Sequence, residues 1–334
     1  MSSESTDGYT TPRWLHLLAI LMAVATVPLL ALGGLVTTRQ VGMSDPIWPT
    51  TPWYLFLISW QEPRPGFLIE HSHRLAAYVL GLLSIIFAIG MWRSGRGTRL
   101  RWLGLVCLVA VSIQGLLGGF RVVLNAMFGT NLATIHGCTG QIVFSIIIGA
   151  VVLTRSSRNS VTVVAEERGY WHRASIRLLA LVLLQLVWGV MIRHQPNPVV
   201  QRLHILTAFL VVVVAAAQFH RAAAVPAVWS QLGRSYKTLA SLLFLQVLLG
   251  VEAWMGKFAS GILPELQVLT TQHVIIRTTH VLIGAGILGT AVTLFLQTRI
   301  SPDRTMKAGP FAGEPHFQTD TIIMECHPSS GGPT

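Results

Sequence analysis

Eight long apolar runs dominate the chain, at 15–37, 70–92, 102–122, 131–154, 175–193, 200–220, 236–256 and 272–297. Each can cross a hydrocarbon core of about 30 Å as a helix. Lipid offers backbone N–H and C=O groups no water, so only helices and closed barrels span it. The runs show no alternation of period two, which argues against a barrel. The expected fold is therefore an all-α integral membrane protein with eight transmembrane helices.

Charge supports this class and orients it. Charged residues make up 11% of the chain, against about 25% in a soluble domain. The net charge of +11 does not point to nucleic acid, because the basic residues sit between the apolar runs. Sixteen of the 24 Lys and Arg flank alternate runs, from Arg13 through Arg93–Arg101, Arg155–Arg177 and Arg221–Lys237 to Arg299–Lys307. That side is expected to be cytoplasmic, with both termini inside. Residues 1–11 lack a basic n-region, so the first run is expected to be a retained helix. Cys107, Cys138 and Cys326 suggest neither a disulfide nor a zinc site.

The expected organisation is a polar segment at 1–14, a four-helix bundle at 15–154 and a cytoplasmic linker at 155–174. A second bundle at 175–297 and a disordered cytoplasmic tail at 298–334 follow. The longest outer loop, 40–69, holds five prolines among Trp48, Trp53, Tyr54 and Trp60. It reads as an interface-seeking lid.

The two halves repeat. Glu70-His71-Ser72-His73-Arg74 opens the second run and Gln201-Arg202-Leu203-His204 opens the sixth. Gln114 precedes Gly118 by four residues, as Gln246 precedes Gly250. Thr134-Ile135-His136 is matched by Thr278-Thr279-His280. The first run ends Gly33-Gly34-Leu35-Val36-Thr37-Thr38-Arg39-Gln40 and the fifth ends Trp188-Gly189-Val190-Met191-Ile192-Arg193-His194-Gln195. Four matches in one order indicate two four-helix units related by duplication. Of twelve histidines, the repeat selects His73, His136, His204 and His280, all at the outer starts of even-numbered runs. Two facing imidazoles in a four-helix bundle are a recurrent way to hold a haem iron. For one such histidine alone, a core residue bonded to a carbonyl is the better reading; four at matched places reverse the odds.

Gln114 and Gln246 read as helix-packing residues. Arg39 and Arg193 read as matched, and Arg74, Arg121, Arg202 and Arg277 sit near the same level. These six are candidate partners for haem propionates, with interfacial snorkelling the competing reading for each. Glu70 and His73 share a helical face, with Arg74 beside Glu70 and His71 pointing elsewhere. At the position of Glu70 the second half has Gln201. A carboxylate moves protons and an amide does not, so the first half reads as the reaction chamber.

At this point the sequence resembles the haem A synthase family over about 15–297. The resemblance rests on Gly33-Gly34-Leu35-Val36-Thr37, on the loop Gly42-Met43-Ser44-Asp45-Pro46-Ile47-Trp48-Pro49-Thr50, on Glu70-x-x-His73-Arg74 and on the three later histidines. It implies two pseudo-symmetric four-helix bundles and oxidation of a haem O methyl group to a formyl, giving haem A for cytochrome oxidase. It implies that His204 and His280 bind a haem b cofactor, that His73 and His136 hold the substrate haem, and that Glu70 is essential. The expected location is a bacterial cytoplasmic membrane, with the haem sites towards the outer side. The expected partners are haem O, membrane lipid, an electron-donor protein or quinol, and haem O synthase; nucleic acid is not among them. The family's outer-loop cysteine pair is missing, since 40–69 contain no cysteine. Ile205 stands where arginine is frequent. A di-haem cytochrome b that only transfers electrons, and a membrane haem carrier, are the rival readings.

Overall fold

The computed structural model describes residues 11–45, 64–94, 98–155, 165–258 and 268–299, together with residue 332. Among them are eight α-helices and no strand: α1 (Arg13–Thr38), α2 (Pro65–Arg93), α3 (Thr98–Val123), α4 (Asn125–Thr154), α5 (Ala165–His194), α6 (Pro198–Ala224), α7 (Pro226–Phe258) and α8 (Thr271–Arg299). All eight are long and apolar enough to cross a membrane. The protein is an all-helical integral membrane protein.

Several helices run beyond the apolar stretches. The backbone stays helical where the chain leaves hydrocarbon, because each added residue still closes a hydrogen bond. Pro65, Pro198 and Pro226 stand at first helical positions, where a missing N–H costs nothing. Asn197 caps α6, its Oδ1 accepting from Val199 N at 2.8 Å. α4 is interrupted at Gly129, with φ 41° and ψ −115°, so 125–128 form a separate turn ahead of the main helix. The lid expected at 40–69 and the tail expected from 298 fall mostly outside the described residues.

Within each half the helices close a ring. α1 packs on α2, α2 on α3, α3 on α4, and α4 returns to α1; α5 to α8 repeat the scheme. Between the rings, α1 meets α8, α4 meets α8 and α4 meets α5. Exchanging the halves maps this set of contacts onto itself. The repeat reaches the far ends of the bundles too: His16 Nδ1 lies 3.1 Å from Thr154 Oγ1, and Ser175 Oγ lies 2.9 Å from Thr298 Oγ1.

Each ring has its own core, and the core fills one end only. In the first ring it comprises Leu15, Ala19, Met22, Phe87, Met91, Cys107, Ile147 and neighbours. In the second it comprises Trp171, Leu178, Leu232, Tyr236, Leu288, Leu294 and neighbours. These are the starts of odd helices and the ends of even ones. The four matched histidines lie towards the other ends. Outward residues stay apolar: Leu82, Phe209 and Phe244 are 60%, 67% and 70% exposed. In water such a surface would aggregate; in lipid it is solvated.

Candidate functional site

The matched histidines meet in pairs, one pair in each ring. The rings of His73 and His136 lie with centroids 6.5 Å apart at 77°. His204 and His280 lie 6.4 Å apart at 68°. His73 Nδ1 is 3.1 Å from the Leu29 carbonyl, and His204 Nδ1 is 3.2 Å from the carbonyl of Gln185, the matched residue. Donation from Nδ1–H to a carbonyl fixes the tautomer and leaves Nε2 with its lone pair, the arrangement a metal-binding histidine uses.

A glycine stands against each imidazole. A Cβ on Gly33 would lie 3.1 Å from His73 Cε1, and one on Gly189 would lie 3.1 Å from His204 Cε1. Gly118 and Gly250 face His136 and His280 likewise, at 3.3 Å and 3.2 Å. Any larger residue would crowd the ring. The glutamines read as packing residues from sequence also face these rings. Gln114 Nε2 lies 3.2 Å from His136 Nδ1 and donates to the His136 carbonyl at 2.9 Å. Gln246 Nε2 lies 3.3 Å from His280 Nε2. The sequence reading passed over Gln185, whose Nε2 is 3.3 Å from His204 Nε2.

The pairs suit an iron held in a porphyrin. A naked transition metal needs three or four protein ligands, and among the described residues no three His, Cys, Asp or Glu side chains converge. A porphyrin supplies four of the iron's ligands, so two imidazoles complete it. A metal–imidazole bond of about 2 Å plus about 1 Å from nitrogen to ring centre separates two such rings by roughly 6 Å. The separations of 6.5 Å and 6.4 Å agree with that distance. Both pairs lie away from the packed cores.

Glu70 belongs to a buried polar cluster. It is 5% exposed; Oε1 accepts from Arg74 Nη2 at 3.0 Å and Oε2 from Asp45 N at 2.8 Å. Asp45 is fully buried, with Oδ2 3.0 Å from both Arg74 Nη1 and His71 Nδ1. Arg74 also donates to the Asp45 carbonyl. His71 was expected to point away from this network, yet it is fully buried in it, its ring stacked on Phe67 at 5.3 Å. The correction has a simple cause. The turn after α1 brings Asp45 over the start of α2, and that contact joins residues too far apart in sequence for helical spacing to reveal.

The candidate arginines divide. Arg74 is committed to the acidic cluster. Arg121 packs its guanidinium against Gly42. Arg193 crosses to the first ring, Nη2 donating to Gly34 O at 2.7 Å and Thr38 Oγ1 at 2.9 Å. Arg277 donates to Gly256 O at 2.9 Å. Arg39 and Arg202 are exposed. The glycine–histidine contacts set the register of the repeat: Gly33 corresponds to Gly189, so Arg193 corresponds to Thr37 and Arg39 to Gln195. The pairing of Arg39 with Arg193 is therefore corrected by two residues.

Fold and site together define an eight-helix membrane protein with one facing imidazole pair in each of two four-helix rings. A family described as a protein of unknown function, DUF998, matches residues 69–218, from the start of α2 into α6. The chain is similar to a haem A synthase of Methylobacterium sp. (strain 4-46), 30% identical over 154 residues, 41% of this chain and 40% of the relative. It is also similar to a haem A synthase of Shouchella clausii (strain KSM-K16), 32% identical over 114 residues, 34% of this chain and 37% of the relative. The resemblance read from the motifs thus stands on named relatives, and each match spans about two fifths of the relative's length.

Proposed function

We propose that the protein is a haem A synthase, oxidising a methyl group of haem O to a formyl group beside a resident haem b. The observation that carries this reading is the pair of facing histidines repeated at equal spacing in both rings, with, among the described residues, a buried acid at the start of α2 and none at the start of α6. His204 and His280 hold the cofactor, and His73 and His136 hold the substrate. The iron porphyrin, when bound, supplies the redox chemistry. The chain supplies position. Leu29 O and Gly33 fix the His73 ring, and Gln114 and Gly118 fix the His136 ring. Arg74 and the Asp45 N–H hold the Glu70 carboxylate in one orientation. From there it accepts a proton lost from the methyl carbon or stabilises positive charge on that carbon, favouring the transition state over bound substrate.

The site lies towards the outer face of a bacterial cytoplasmic membrane, with both termini inside. Haem O arrives from its own synthase. The oxygen atom and the electron partner, another protein or a quinol, come from outside the chain.

One observation favours a second reading. Glu70 is ion-paired with Arg74, a role that only anchors α2 and fits a di-haem cytochrome b. Glu70→Gln separates the two, because it keeps size and one of the two acceptors but removes charge. We expect the variant to retain its second-ring haem spectrum and to make little haem A, with haem O or a partly oxidised haem accumulating, as read by pigment extraction and chromatography. Near-normal haem A from Glu70→Gln, or haem B as the sole pigment of the wild type, favours the cytochrome.

A further inference from the structure

The end of α5 reaches out of its own ring. Arg193 bonds Gly34 O and Thr38 Oγ1 on α1, and Gly34 directly follows the glycine that faces His73. A Cβ on Gly137 would lie 3.6 Å from His194 Nε2, and Gly137 directly follows His136. Gln195 Nε2 donates to Asn131 Oδ1 of α4 at 2.6 Å. Arg193 and Gln195 thus bond the first ring, and His194 between them lies close to Gly137, beside both members of the first ring's histidine pair. Among the described residues this grip has no counterpart in reverse: in the register of the repeat, Arg193 and His194 correspond to Thr37 and Thr38.

Helix packing alone does not call for this choice of residue. Among the described residues Arg193 pairs with no carboxylate, the three ion pairs there all belonging to the Asp45–Glu70–His71–Arg74 cluster. Arg277, Arg121 and Lys257 lie near Arg193 and His194 at this level. Cations gathered at the end of membrane helices are costly without anions. Nη2 spends its two hydrogens on α1, and among the described residues Nε and Nη1 find no acceptor. A guanidinium offers these as a fork that suits a carboxylate.

We infer that Arg193, with His194, is part of the first ring's substrate site: it takes a carboxylate of the porphyrin held by His73 and His136. This rests on the reading of that pair as a haem site. It makes the second ring contribute a binding group to the first, which the threonines at the matched positions cannot return.

The test uses the full-length protein with its second-ring haem in place. Haem O and its dimethyl ester, which lacks free carboxylates, are titrated in, and binding is read from the absorption change of the added haem. Wild type is expected to prefer the free acid by at least about tenfold, the scale of one charge-assisted hydrogen bond. Arg193→Gln is expected to bind both forms within about twofold and to keep the second-ring spectrum. Thr38→Val loses one hydrogen bond across the seam but no charge, and is expected to keep the preference. A wild-type preference retained in Arg193→Gln overturns the inference and leaves Arg193 as a tie between rings. Failure of wild type to take up either form, with the second-ring spectrum intact, overturns the first-ring haem site itself and the inference with it.

Discussion

At the scale of single residues, the imidazoles are held by what is missing beside them. A Cβ at Gly189 would sit 3.1 Å from His204 Cε1, closer than ordinary van der Waals contact. An iron-bound ring cannot retreat without bending its bond. Gly189→Ala is therefore expected to lower haem affinity in the second ring about tenfold, the lower end for changes beside a metal ligand. Haem content after purification and the reduced-minus-oxidised spectrum measure it, and full occupancy would show that the glycine is only a packing contact. Asp45 makes a different prediction. Its carboxylate is fully buried between His71 and Arg74. Asp45→Asn keeps the side chain's size but removes one of the two carboxylates that face Arg74, at a cost of about 1.5–3 kcal/mol, the scale of a hydrogen bond to a charged group. The thermal midpoint in detergent should fall below that of the wild type. A midpoint equal to the wild type's would mean that Asp45 is dispensable to the cluster.

At the scale of elements, the turn after α1 aims Asp45 at α2. Arg39 ends the helix, and Gln40 takes φ 55°, the left-handed conformation. Val41 N donates back to Val36 O at 3.0 Å and Gln40 N to Thr37 O at 3.2 Å, the paired bonds of a Schellman ending. Glycine fits that conformation without the penalty of a Cβ, so Gln40→Gly should stabilise the fold by about 1 kcal/mol. A rise in the thermal midpoint checks this; a fall would mean that the glutamine side chain does more than tolerate the turn. The same turn marks where sequence reading stops. The eight helices were legible because each buries or exposes an unbroken apolar run to lipid. The four histidines were legible because duplication repeats them against a changing background. The Asp45–His71 contact was not, since it joins a turn to a helix 26 residues away, and neither pattern nor period records such a distance. The role of Gln114 and Gln246 was half legible: their matched places were visible, but nothing in the spacing says that an amide faces an imidazole. The register slip at Arg39 arose because helix ends were aligned by motif, whereas the glycine–histidine contacts align helix faces.

At the scale of the whole molecule, the helices alternate in direction, so all four histidines gather towards one end and both packed cores towards the other. Orientation in the membrane then decides which compartment the site serves. Reporter fusions after Arg99 and after Ser235 are expected to report cytoplasm, and a fusion at Trp53, outside the described residues, to report the opposite side. A cytoplasmic signal at Trp53 would place the histidine level inside and remove the outer-face location.

The closed rings bear also on descent. A ring in which the fourth helix returns to the first is complete by itself, and the seam between the rings maps onto itself when the halves are exchanged. A paired assembly of identical short chains would have the same seam, but any substitution in it would appear twice. Both sites would gain an acid or neither would, and a cation sent across would be answered by the same cation coming back. Joining the copies into one polypeptide removes that obligation. Glu70 can then stand opposite Gln201, and Arg193 opposite Thr37, which is the asymmetry that the proposed function, one haem retained and the other exchanged, would require.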